Sequence, residues 1–259
     1  MSLLANKKIL ITGVLSRKSI AYGIAKKCHD MGAKLILTYQ NDRFEERLQE
    51  IADDLGKAQT FPCDVTDEKQ ISLLFDHISR DDHGIDGLVH SVAYAPRESI
   101  SGSFLEGCTR ESFRVAHDVS SYSLVALTNA VLPLMDRCGG GSIVSLTYLG
   151  AHRAVPNYNT MGLAKASLES AIRYIASEVG HRNIRVNGIS AGPIKTIAAS
   201  GIEGFSNILK SVSERSPLKR NTTLEDVGGA AGFLLSSLSS GITGEIMYVD
   251  CGYRNIVSV

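Results

Sequence analysis

Apolar residues fall along this chain in short runs separated by longer stretches of helical period. The runs, rich in Val, Ile and Leu, occupy 9–12, 34–38, 59–63, 87–90, 142–146, 185–189 and 245–249. Strands covered on both faces, as in a parallel sheet, require such uninterrupted apolar segments. Between them, apolar positions recur every three or four residues over 20–31, 42–55, 67–80, 109–135, 157–179 and 224–238, which predicts helices. Thr222 and Thr223 stand where the last of these needs a cap. The alternation predicts an α/β fold: one Rossmann-type, doubly wound domain over residues 1–259, its seven-stranded parallel sheet flanked by helices on both faces. No repeat or linker breaks the order, and a ligand is expected at the carboxyl ends of the strands.

Charge narrows the partners. The 27 Lys and Arg balance 27 Asp and Glu, so association with nucleic acid through bulk charge is not expected. The five cysteines, Cys28, Cys63, Cys108, Cys138 and Cys251, are odd in number and include no C-x-x-C. They read as buried thiols, with neither a disulfide framework nor a metal site expected. No segment approaches the ~18 uninterrupted apolar residues of a membrane span, and residues 1–8 lack the apolar stretch of a signal peptide. A soluble, cytoplasmic protein with no membrane insertion is the expectation.

Three strand ends carry candidate chemistry. The first leads through Thr12-Gly13 to Ser16, Ser19 and Ile20, where a helix N-terminus offers N–H groups to a pyrophosphate. The glycines lack the G-x-G-x-x-G spacing, so an ordinary strand-to-helix turn remains an equal reading. Gln40 stands where a dinucleotide fold reads the adenosine ribose; a neutral amide leans toward NADH, while Arg43 nearby would accept a 2′-phosphate. Asp64-Val65 offers a carboxylate and an apolar face to adenine, or merely a helix cap. The most informative stretch runs from Tyr148 to Lys165. Tyr158 and Lys165 are seven residues apart, which on a helix returns almost to the same azimuth with a rise of only about 10 Å. A lysine ammonium beside a phenol favours the phenolate, predicting a Tyr158 pKa depressed from about 10 and a group suited to a developing oxyanion.

These residues sit within longer stretches: Ile11-Thr12-Gly13, Ser19-Ile20-Ala21-Tyr22-Gly23, Tyr39-Gln40-Asn41-Asp42, His90-Ser91-Val92-Ala93, Tyr148-Leu149-Gly150-Ala151, Pro156-Asn157-Tyr158, Met161 to Ser167 and Ala191 to Thr196. With them the chain resembles, nearly end to end, the NADH-dependent enoyl-acyl-carrier-protein reductases of bacterial fatty acid synthesis, a divergent branch of the short-chain dehydrogenase/reductase superfamily. The discriminating feature is Tyr-x6-Lys; ordinary members carry Tyr-x3-Lys, and the fourth residue after Tyr158 here is Gly162.

The resemblance implies NADH-dependent reduction of the trans-2 double bond of an enoyl thioester through an enolate, with Tyr148, Tyr158 and Lys165 catalytic. It assigns NADH or NAD+ to Gly13, Ser19, Ile20, Gln40, Asp64, Val65, Ser91, Val92, Lys165, Ile194, Lys195, Thr196, Ile197 and Ala198. It places the acyl chain against Ala95, Tyr148, Tyr158, Met161, Ile202 and Phe205, with a substrate-binding loop at about 196–213. It implies enoyl-acyl carrier protein as substrate, docking on Lys195, Lys210, Arg215, Lys219 and Arg220, and a homotetramer joined through the long helices. Ala93 and Cys251 stand where relatives often have glycine; if φ is positive at Cys251, the backbone there is strained. Two other readings stay open on sequence, a carbonyl reductase with unusual Tyr/Lys spacing and a non-catalytic dinucleotide sensor. Consumption of an enoyl but not a keto thioester separates them from the first.

Overall fold

The computed structural model describes residues 2–80, 83–197, 199 and 204–256. Seven strands form one sheet: β1 (Lys8–Ile11), β2 (Lys34–Tyr39), β3 (Gln59–Pro62), β4 (Gly87–His90), β5 (Gly141–Thr147), β6 (Ile184–Ala191) and β7 (Ile246–Val249). Their order is β3-β2-β1-β4-β5-β6-β7, and every neighbouring pair is parallel. The order reverses between β1 and β4, so the connections leaving those two strands diverge and open a crevice at their carboxyl ends. The predicted sheet is therefore present, with strand limits within two residues of expectation.

The helices are α1 (Ile20–Asp30), α2 (Glu45–Asp54), α3 (Glu68–Ser79), α4 (Phe104–Gly107), α5 (Arg110–His117), α6 (Ser123–Arg137), α7 (Asn159–Val179), α8 (Phe205–Arg215) and α9 (Leu224–Leu235). Sidedness follows from burial. Ile9 and Ile11 point into the core shared with α1 and α9, while Leu10 joins the opposite core with Leu74, Leu127 and Leu168. Alternation along a strand puts its residues on the two faces in turn, so each face is covered by helices.

Two differences from the predicted pattern have local causes. The single helix expected over 109–135 is interrupted by a π-helical turn at Asp118–Tyr122, whose Ser120 hydroxyl donates to the Tyr94 carbonyl and accepts from the Tyr94 amide. That side-chain bridge and the widened turn satisfy backbone groups that periodicity alone does not reveal. Helix α8 was expected as part of a loop; it buries only Val212 among its residues, leaving little apolar period to read. Thr223, as expected, caps α9, in a capping box with Asp226.

Helices α1 and α9 cross at glycines. A Cβ on Gly228 would lie 2.7 Å from the Gly23 carbonyl oxygen, and one on Gly23 would lie 2.7 Å from Leu224 Cβ. Helix propensity alone would make Gly228→Ala stabilising by about 1 kcal/mol. Backbone overlap predicts the opposite, a loss of about 1–3 kcal/mol in urea unfolding. A Gly228→Ala protein more stable than wild type would contradict this packing.

Candidate active site

The site is built at the carboxyl ends of β1, β4 and β5. Gly13 turns the chain off β1 with φ +81°, and a Cβ there would stand 2.0 Å from the Ser91 carbonyl oxygen. Only glycine allows both the conformation and the approach. Thr12 ties the two strand ends: its hydroxyl donates to Val89 O at 3.1 Å and accepts from Ser91 N at 3.1 Å. Gly13, Ser91 and Val92 are thereby brought together. Ser19 caps α1, accepting from Tyr22 N at 3.2 Å and donating to Ser16 O at 2.8 Å. The first-turn N–H groups of α1, Ile20 among them, have no acceptor within the helix, and their partial positive charge favours an anion.

At the ends of β2 and β3, Gln40 Nε2 donates to Asp64 Oδ2 at 3.1 Å, while Asp64 Oδ1 accepts from the Thr66 amide and hydroxyl at 2.9 and 2.7 Å. Burial pushes the Asp64 carboxyl up, but the hydrogen bonds from Thr66 and Gln40 outweigh it and the net shift is downward. Asp64 thus caps its turn and also stays an ionised acceptor. Val65 packs into the core with Ile71 rather than facing outward. A solvent-open depression of about 480 Å³ is lined by Gln40, Asn41, Asp42, Arg43 and Pro62, at the outer end of the crevice.

The ionisable pair lies at β5. Tyr158 precedes α7 rather than lying within it, held between Asn157 and Asn159, whose φ values are +63° and +38°. Its ring packs edge to face against Tyr148, centroids 5.0 Å apart at 69°. Ala95, Ala116, Tyr158, Met161 and Ala164 form one apolar cluster, with Tyr148 and Ile100 packed against it. Four of the six expected acyl-chain residues, Ala95, Tyr148, Tyr158 and Met161, therefore share a wall. Phe205 stands half-buried at the start of α8; Ile202 and Ala198 lie outside the described residues.

Lys165 is 5% exposed, and its Nζ donates to the carbonyl of Leu146, near the end of β5, at 2.7 Å. Burial lowers its pKa to about 8, against the opposing pull of Glu169. The phenolate expected for Tyr158 is not found. Burial is the largest influence and pushes the phenol strongly upward, reinforced by Tyr148 and by the negative charge of Glu169. No opposing pull from Lys165 acts on the phenol, so burial prevails. Tyr148 is likewise raised to about 12, by burial first and then by Tyr253. Both tyrosines are hydrogen-bond donors, not bases.

Ile194 packs half-buried against the core, Lys195 and Ile197 are exposed, and Thr196 Oγ1 accepts from Ala199 N at 3.0 Å. Cys251 has φ +57°, the strained conformation anticipated for it. Two buried side chains near the pair, His90 and Glu169, carried no role in the sequence argument. His90 bridges Ser145 and Ser123, 2.8 Å to each, and burial, then the charge of Lys165, lowers its pKa to about 3, so it stays neutral. Glu169 accepts from Thr147 Oγ1 at 2.7 Å and lies 2.5 Å from His152 Nε2. A signal existed: Glu169 is four residues beyond Lys165, on the same predicted helix face.

A family model described as enoyl-(acyl carrier protein) reductase matches residues 13–254. The chain is 54% identical over 253 residues to the NADH-dependent enoyl-[acyl-carrier-protein] reductase FabI of Neisseria meningitidis, covering 98% of this chain and 97% of that protein. It is 47% identical to the FabI of Escherichia coli, covering 98% and 96%. Among solved structures, the Bacillus cereus enoyl-acyl carrier protein reductase with NADP+ and indole naphthyridinone superimposes with a TM-score of 0.96 at 43% identity, covering 100% of both chains. The Anaplasma phagocytophilum reductase in complex with NAD gives 0.95 at 42% identity, covering 99% of this chain and 97% of that one.

Any step that needs the Lys165 ammonium is supported below its pKa and lost above it. The rate of cofactor-dependent turnover, divided by KM, should therefore fall about tenfold per pH unit once pH passes about 8. A profile flat to pH 9.5 would contradict the assignment of this charge to the chemistry.

Proposed function

The chain belongs to the enoyl-acyl-carrier-protein reductases, and from that premise we propose that Tyr158 and Lys165 carry its chemistry, with Tyr148 completing the wall of the reacting centre. The activity is NADH-dependent reduction of enoyl-[acyl-carrier-protein] in fatty acid synthesis. The observation that carries the residue assignment is the dry cluster at the end of β5, where a neutral phenol and a buried ammonium stand beside an apolar wall.

The residues fit the cofactor. Gly13 and the N-terminus of α1, with Ser19 and Ile20, suit a pyrophosphate, Gln40 and Asp64 an adenosine, and Ser91, Val92, Ile194, Lys195, Thr196 and Ile197 the nicotinamide half, to which the resemblance alone adds Ala198. When bound, NADH supplies the hydride that adds to the β-carbon of the enoyl thioester. Tyr158 donates its O–H to the thioester carbonyl as negative charge accumulates on that oxygen. Its raised pKa suits a donor that keeps its proton and stabilises the enolate. Lys165 adds a positive charge that water screens little, and it holds the ribose hydroxyls. A proton from solvent then adds at the α-carbon of the enolate, which completes the saturated thioester.

Helix α8, with Val212 its one buried residue, serves with about 196–213 as the segment that closes over the acyl chain. The acyl carrier protein is the partner. Of the basic residues considered for its docking, Arg220 is committed to Asp226 by two bonds of 2.5 and 3.0 Å, and Lys219 donates to Glu214 O. Lys195, exposed at the mouth, is the better candidate. Phe113, Tyr122, Leu163 and Tyr174 are exposed on α5, α7 and the π-helical turn, and they suit burial in a homotetramer. Among the described residues no helix is long and apolar enough to cross a membrane, which accords with a cytoplasmic enzyme.

Tyr158→Phe should lower turnover of a crotonyl thioester about 100-fold with little change in NADH affinity, whereas Lys165→Ala should weaken both. Wild-type rates in both variants would overturn these roles. NADH absorbance should fall with the crotonyl but not with an acetoacetyl thioester; oxidation confined to the keto substrate would contradict the reaction.

A further inference from the structure

One buried charge has no part in these steps. Glu169 is 1% exposed, yet it carries a carboxylate. An uncompensated carboxylate is strongly disfavoured in such a place, so its surroundings must supply positive charge or hydrogen bonds. They do so on two sides. Thr147 donates to Oε1 at 2.7 Å, and His152, half-exposed on the turn after β5, brings Nε2 to 2.5 Å from Oε2. The His152 approach is close enough for an ion pair but misdirected for a hydrogen bond, so Oε2 retains unspent accepting capacity. One helical turn back lies Lys165.

The register is specific. Lys165 bonds the carbonyl of Leu146, and Glu169 accepts from the hydroxyl of the next residue, Thr147. Two side chains four residues apart on α7 thus grip two consecutive residues of β5, just before the chain turns at Tyr148. We propose that Glu169 is a positioning residue of the reductase, the fixed counter-charge of the Lys165 ammonium and the tie that holds that ammonium, the end of β5 and the Tyr148 turn as one rigid unit. The inference rests on the assignment of Tyr158 and Lys165 above.

The titratable groups around the pair agree in sign. Burial drives Lys165 toward the neutral amine, and Glu169 opposes it. His90, at the end of β4, is neutral and brings no competing charge. Tyr148 and Tyr158 are raised by burial and stay protonated, Tyr253 acts on Tyr148, and His152 Nε2 stands against the Glu169 carboxylate. Removing the Glu169 charge leaves burial unopposed, so the Lys165 pKa moves further down.

Glu169→Gln keeps the volume and the Thr147 contact but removes the charge. It should shift the alkaline limb of the pH profile downward by about one unit and raise the NADH dissociation constant at pH 7.5 about tenfold, with Glu169→Asp restoring part of both. In a Lys165→Ala background the same change should add no further loss of NADH affinity, because the effect passes through Lys165. An unmoved limb, or full additivity with Lys165→Ala, would overturn the proposal even if the melting temperature fell. Should Glu169→Gln fail to fold, Thr147→Val should move the same limb in the same direction by less; an unmoved limb there also overturns it. Wild-type turnover in Lys165→Ala would instead defeat the catalytic assignment itself.

Discussion

A positive charge sealed from water organises this molecule. Lys165 is almost wholly buried, and such an ammonium persists only where hydrogen bonds and opposite charge replace its hydration. The carbonyl of Leu146 supplies the bond, and that requirement fixes how α7 lies along β5. Tyr158 precedes the same helix, so its ring is set against Tyr148 and the apolar cluster by the same register.

The parallel sheet makes this arrangement possible. Its strand order reverses between β1 and β4, so the loops leaving those strands part and expose backbone where a ligand is bound. On one side of the crevice stand glycine-allowed close approaches and a helix N-terminus, suited to phosphate. On the other stands the dry wall with two protonated phenols. The polar half offers donors suited to an anionic ligand, and the apolar half strengthens every electrostatic contact made within it. The two halves meet at β4, where neutral His90 bridges Ser145 and Ser123 and fixes the π-helical turn to the sheet without adding charge.

Much of this was legible in the residues. Apolar runs located all seven strands because both faces of a parallel sheet are covered; Tyr158 and Lys165 stand out by their spacing and Tyr148 by the family resemblance, and the structure sets Tyr148 against Tyr158. What the chain pattern hid was set by tertiary contacts. The π-helical turn at Asp118–Tyr122 answers to Tyr94, distant in sequence. The direction of the Tyr158 pKa shift was inverted because spacing reports a neighbouring lysine but not the loss of water around the phenol. Glu169 was passed over because a glutamate within an amphipathic helix ordinarily faces solvent, whereas here it turns inward to Thr147.

The central claim is that the protonated Tyr158 and the buried Lys165 ammonium divide the labour at the reacting centre. A crystal structure with NAD+ and a saturated acyl thioester would test it most directly. Tyr158 Oη is expected within about 3.2 Å of the thioester carbonyl oxygen, and Lys165 Nζ at a similar distance from the nicotinamide ribose hydroxyls. A carbonyl oxygen bound by Tyr148 alone, with Lys165 out of reach of the ribose, would contradict it.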